Sequence, residues 1–231
     1  MPRDLIAACI VSASQGRHVG GVRLENVELA CVEGYRVAYT GSVLRQEHSD
    51  MLSALLALLG GAAEGSRATV ELRDIGLLLG QKAGAYNREV AWRMLGELIA
   101  TCVHVCAPDG FEYMGSLVPG GSRSGPEAPF ELDVNRALVD LVLRDVSTLR
   151  VEELRALNRR PLAHWLARHL VALPGAISVA ELQRLTASPG PTKRFRQRVR
   201  EALATLEQHG LGRWALTASD TVTRVGSARA S

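Results

Sequence analysis

The sequence predicts a helix-rich α+β protein built from two similar halves, and three observations predict it. The same order of elements can be read twice: helix, short strand, short helix, turn, long helix, hairpin. The two readings keep step, since Val70 to Leu95 spans 25 residues and Ile177 to Leu203, in comparable places, spans 26. Between them lies PGGSRSGPEAP, residues 119–129, in which eight of eleven residues are Gly, Pro or Ser; this reads as a linker. The repeated order is that of a helix-turn-helix followed by a β-ribbon wing. The expectation is therefore two tandem winged-helix domains, residues 1–124 (with an N-terminal extension) and residues 125–231.

In the first half, QEHSDMLSALLALL (46–59) has helical periodicity and stops at a Gly pair. ATVEL (68–72) alternates as a short strand, and DIGLLLG (74–80) reads as a short helix with Asp74 as its cap. After the turn QKAG comes a longer helix, YNREVAWRMLGELIA (86–100). TCVHVCA (101–107) and FEYMGSLV (111–118) flank Pro108-Asp109-Gly110, a hairpin signal.

In the second half, PLAHWLARHLVAL (161–173) is a helix closed by Pro174-Gly175. ISV (177–179) and AELQRL (180–185) give a short strand and a short helix. SPGP (188–191) turns the chain into a long helix, Thr192–Gln208, ending at Gly210. GRWALT (212–217) and TVTRV (221–225) pair around Ala218-Ser219-Asp220.

The bulk numbers fit a soluble globular chain: 47% hydrophobic and 22% charged residues allow a buried core and argue against disorder. No run is long enough for a membrane span, and the N-terminus makes a poor signal peptide, so a cytoplasmic protein without membrane contact is expected. The four cysteines form no CxxC pair and no disulfide scaffold. Net charge is only +3, but it is unevenly placed: residues 1–124 carry 11 Lys/Arg and 13 Asp/Glu, residues 125–231 carry 16 and 11. The positive surplus sits in the second half, as a nucleic-acid footprint would.

It is densest in the long helix, where five of the eight residues from Lys193 to Arg200 are basic. At about 100° per residue, Phe195, Val199, Ala202, Leu203 and Leu206 share one stripe, which is the core face. Lys193, Arg194, Gln197, Arg200 and Glu201 lie opposite, with Arg196 and Arg198 on the flanks. The N-terminal part of a recognition helix enters the major groove, where Arg pairs with guanine and Gln with adenine. Arg196 and Arg198 would then meet phosphates and fix register. The bland alternative is a solvated basic face; position after a short helix and before a hairpin favours the groove.

The first half offers less. Ala91, Leu95, Leu98 and Ile99 make the core stripe of its long helix, while Tyr86, Arg93 and Glu97 point away and Lys82 precedes them. Lys82, Tyr86 and Arg93 are the candidate DNA contacts there, and a dimer surface is the competing use.

Several chemical signals fail. Cys102, His104 and Cys106 share one face of a strand, but the spacing is not that of a zinc ribbon and no second ligand pair follows, so a buried strand is the reading. His164 and His169 lie five apart and do not share a helix face. GLLLGQK (76–82) is one residue short of a phosphate loop and lacks the following Ser/Thr. No catalytic constellation and no metal site is identified, and the chain is not expected to be an enzyme.

Beyond these local readings, the chain resembles the TrfA family of plasmid replication initiators over about residues 35–225. The resemblance rests on YTG (39–41) with Gln46-x3-Asp50 and an apolar helix, LLLGQKAGAYNREVAWRMLGELIATCVHV (77–105), RPLAHWL (160–166) and FRQRVREALATLEQHGLGRWAL (195–216). No segment of the first 30 residues resembles the clamp-binding tail such initiators carry. The resemblance implies binding to direct repeats (iterons) of double-stranded DNA at a replication origin, a monomer–homodimer switch, recruitment of the host helicase, and no cofactor. The alternatives are a winged-helix transcriptional regulator acting on its own gene and a scaffold that binds proteins only.

Overall fold

The computed structural model describes residues 23–59, 67–78, 88–133, 137, 149, 153, 156, 157, 160–173 and 175–225. Among these are six helices and three antiparallel sheets. The first sheet is built from β1 (Arg23–Glu28), β2 (Arg36–Ser42), β4 (Cys102–Cys106) and β5 (Glu112–Ser116), in the spatial order β1-β2-β4-β5. Alternation sets its inner face: Val37, Tyr39, Val103, Val105 and Tyr113 point inward and are buried. Against that core pack α1 (Gln46–Leu59), α2 (Leu72–Leu78) and α3 (Arg88–Ile99). Met51, Leu52, Leu55, Ile75, Ala91, Leu95 and Leu98 are all buried in it. Each fully buried Leu or Ile stabilises the fold by about 1.5–3 kcal/mol relative to exposure, so the helical stripes hold this half together.

A second sheet joins β3 (Arg67–Val70), β7 (Phe130–Asp133) and β6 (Gly121–Ser122), in the order β3-β7-β6. This corrects the reading of 119–129 as an interdomain linker. The segment contains β6 and the connection to β7, and Phe130 and Leu132 are buried in the first core. A boundary at 124/125 therefore cuts through a hairpin of the first half. The reason is visible in FELD: Phe130 and Leu132 alternate with Glu131 and Asp133, a half-buried strand whose period is hidden by the Gly/Pro/Ser-rich stretch before it. The hairpin predicted from TCVHVCA (101–107) and FEYMGSLV (111–118) does form, and it extends the β1–β2 sheet. Asp74 also differs from expectation: α2 begins at Leu72, so Asp74 lies inside its first turn.

The second half follows its predicted order closely. α4 (Pro161–Ala172) precedes β8 (Ile177–Ser178), α5 (Val179–Leu185), α6 (Thr192–Gln208), β9 (Trp214–Leu216) and β10 (Thr221–Arg224), with strand order β8-β10-β9. Ser178 caps α5 by accepting a hydrogen bond from the Glu181 N–H at 3.1 Å. α6 stops at Gly210, whose φ of +69° is a conformation that L side chains resist. There the N–H of Leu211 donates to the Leu206 carbonyl and that of Gly210 to the Glu207 carbonyl, each at 3.0 Å, which satisfies the helix end and folds Leu211 onto the core.

The two cores are joined through α1 and α4. The Arg168 guanidinium is buried, paired with Asp50 and hydrogen-bonded to Ser53 Oγ at 3.2 Å; His164 Nδ1 meets Gln46 Oε1 at 2.8 Å. Arg184 of α5 donates to the Cys31 carbonyl at 2.6 Å, and Val32 packs on the second core.

Candidate nucleic-acid interface

The α6 helix is anchored by its apolar stripe: Phe195, Val199, Leu203 and Leu206 are buried against α4 and α5. The predicted core stripe is thus found in place, and the opposite face follows from it by helical geometry. Lys193, Arg194, Gln197, Arg198 and Arg200 are exposed, all within the first nine residues of the helix. Gln197 Nε2 donates to Glu201 Oε1 at 3.0 Å, one turn on, and the Arg198 guanidinium lies 5.9 Å from the Phe195 ring centre. The turn leading into α6 is fixed by Gln183, whose amide donates to the carbonyls of Ser188 at 3.3 Å and Gly190 at 2.7 Å.

Arg196 departs from its predicted place on the flank. It is half-buried and ion-paired with Asp220, at the turn between β9 and β10. Asp220 itself sits at φ +57°, a turn conformation that Asp tolerates better than most residues. The pair fastens the hairpin to the basic end of α6, so Arg196 is a positioning residue in this structure. Nothing local in the sequence marks it, because the partners lie 24 residues apart.

The first half shows a related arrangement. Arg88 at the start of α3 pairs with Glu127 at 3.1 Å, and Glu89 pairs with Arg123 at 3.1 Å. Arg123 also lies over the Trp92 ring, 4.5 Å from its centre, while Trp92 stacks on Phe130 at 5.4 Å. In both halves, then, charged residues near the start of the last helix tie it to a following hairpin. Arg93 is exposed on α3 as predicted, next to exposed Val90. Lys82 and Tyr86 lie outside the described residues. Glu97 does not face solvent freely: it is half-buried and bonded to the ring of buried His48.

The two α4 histidines are packing groups. Burial lowers the His164 pKa to about 3, with nearby Arg168 adding to the effect; burial lowers that of His169 to about 4, partly opposed by Glu181. His169 stacks on Trp165 at 4.6 Å. Neither belongs to the basic face. No helix among the described residues is long and apolar enough to cross a membrane.

No family model and no curated protein sequence matches the chain. Its fold does match solved structures of domains 2 and 3 of RctB. One, of residues 155–483 of that protein, aligns with a TM-score of 0.58 at 13% identity, covering 95% of this chain and 94% of the other. A second, a selenomethionine derivative of the same domains, gives 0.55 at 12% identity, covering 89% and 85%. The chain is a mixed α+β protein with antiparallel sheets, and it shares the fold of this two-domain region nearly end to end.

Proposed function

We propose that this chain is a replication initiator that binds double-stranded DNA at origin repeats, with α6 as its principal reading helix. The observation that carries the reading is the exposed set Lys193, Arg194, Gln197, Arg198 and Arg200 on one end of a helix fixed by a buried opposite face. Such a surface offers donors to guanine and adenine edges and cations to phosphates. Each half is read as a winged helix, with β9–β10 and β6–β7 as the wings. The fold shared with RctB, a replication initiator, supports the initiator role. The role is binding and assembly, without a reaction of its own. Dimerisation that restrains initiation and recruitment of the host helicase belong to the same proposal, as does a cytoplasmic location.

The test is to search the DNA beside its gene for short direct repeats and to measure binding of the full chain to duplexes carrying them, against scrambled duplexes, across a salt series. Arg194→Ala, Gln197→Ala and Arg200→Ala are each expected to cost about 1–3 kcal/mol on the repeats and to relax preference at one position. A triple variant that stays folded yet binds the repeats as tightly as the parent removes α6 as the reader. Equal affinity of the parent for repeat and scrambled DNA defeats the initiator reading. A preference for an inverted repeat at a promoter would favour a transcriptional regulator instead.

A further inference from the structure

The outer face of the β4–β5 hairpin gathers three side chains of metal-ligating chemistry. Val103 and Val105 point into the core, so Cys102, His104 and Cys106 point out; the strand is buried on one face only, where the sequence suggested a buried strand. Glu112 stands directly across from Cys106 in the antiparallel register, on the same face. The donor atoms converge: His104 Nε2 to Glu112 Oε1 is 2.6 Å, Cys106 Sγ to Glu112 Oε1 is 3.4 Å, and Cys106 Sγ to His104 Nε2 is 3.5 Å. Their ligand atoms all lie within 4.8 Å of one another.

These distances can be compared with what an ion requires. A tetrahedral zinc with bonds of about 2.1 Å to nitrogen and oxygen and about 2.3 Å to sulfur sets edges of about 3.5–3.6 Å to the sulfur and about 3.4 Å between nitrogen and oxygen. Both sulfur edges are already close to these values. Only the His–Glu separation has to open, by about 0.8 Å, which the outer torsions of an exposed Glu112 supply. The backbone need not move, because the hairpin is held in a four-stranded sheet.

We propose that His104, Cys106 and Glu112 form a binding site for one divalent transition ion, Zn²⁺ or its analogue Co²⁺. Nitrogen, sulfur and carboxylate donors are the set zinc accepts, and the fourth position faces solvent. The thiolate and carboxylate neutralise the ion's two charges. Arg36, opposite Cys106 on β2, is the neighbouring cation. Cys102 is on the same face but outside the cluster, which makes it the internal control.

The experiment is titration of the reduced full chain with Co²⁺, read by visible d–d absorption and near-ultraviolet thiolate-to-metal charge transfer, followed by displacement with Zn²⁺. One equivalent with a thiolate band is expected, bleached by Zn²⁺. The band should vanish in Cys106→Ser and persist in Cys102→Ser. Glu112→Gln should weaken Zn²⁺ binding by more than the roughly 10–100-fold that loss of an outer partner costs. All three positions face outward, so circular dichroism should be unchanged in the variants. Absence of a thiolate band at stoichiometric Co²⁺, survival of the band in Cys106→Ser, or its loss in Cys102→Ser would each overturn the site and leave the trio as a hydrogen-bonded surface cluster.

Discussion

Arg196 and Asp220 form an internal ion pair at the edge of the basic face, and this changes what each α6 cation contributes. A guanidinium already held by a carboxylate is not available to a phosphate without giving up that partner. On the proposed DNA-binding role, Arg198→Ala should lower the salt slope by about one unit, since one phosphate contact and its counterion release are lost. Asp220→Asn should act in the opposite sense: it frees Arg196, raising affinity for any duplex and steepening the salt slope by about one unit. Binding isotherms at several salt concentrations distinguish the two. A slope for Asp220→Asn equal to that of the parent would show that Arg196 stays with the hairpin by other means. The sequence marks Arg196 as a flanking cation and gives no sign of its partner. Local periodicity says which way a side chain leaves a helix, whereas pairing depends on where a hairpin two dozen residues later is brought back.

Among the elements, α1 and α4 carry the heaviest electrostatic commitment. Arg168 is buried, with Asp50 as its counter-charge, and burial pulls its pKa down while Asp50 opposes this. Removing one partner leaves an uncompensated buried charge, so Asp50→Ala should destabilise by about 3–5 kcal/mol. Replacing both with apolar residues of similar volume, Asp50→Leu with Arg168→Met, should recover most of that loss. Urea unfolding of the single and double variants measures it, and additive losses in the double variant would contradict the coupling. The elements themselves differ in how much of them can be read in advance. α6 and the β9–β10 hairpin are legible because each is specified locally, by a 3.6-residue stripe and by a turn between alternating runs. β1 and β2 carry no strong turn signal and are not among the elements the sequence predicts, although Val37, Tyr39 and Gly41 do alternate inward. β7 was masked by its neighbours' composition. The α1–α4 seat is not legible at all, since its partners lie 118 residues apart.

At the level of the molecule, the buried histidines of α4 make stability depend on pH. In the unfolded chain both take up protons near their ordinary value of 6.5, whereas in the folded chain they stay neutral down to about 3 for His164 and about 4 for His169. Their contribution is therefore complete above pH 6.5 and is lost as the pH falls, because the unfolded state then binds protons that the folded state refuses. Each adds a slope of up to about 1.4 kcal/mol per pH unit in that window. Asp50 works the other way at the acid end, since burial raises its folded pKa. Thermal unfolding should drop steadily between pH 6.5 and 4.5, and His169→Gln should flatten the drop by about half. An unfolding midpoint that is the same at pH 7 and pH 5 would remove this account.

The α1–α4 seat also decides what counts as a transplantable module. By chain order α1 belongs to the first half, yet Gln46, Asp50 and Ser53 provide the polar side of a socket whose other wall is His164 and Arg168. A chimera that grafts a foreign second half onto this chain leaves the half-buried Asp50 carboxylate without its mate, and the reverse graft leaves the buried Arg168 guanidinium without its own. Recombination between related proteins is thus constrained to exchange the three α1 positions together with α4, and the smallest heritable unit of the second half is discontinuous in sequence.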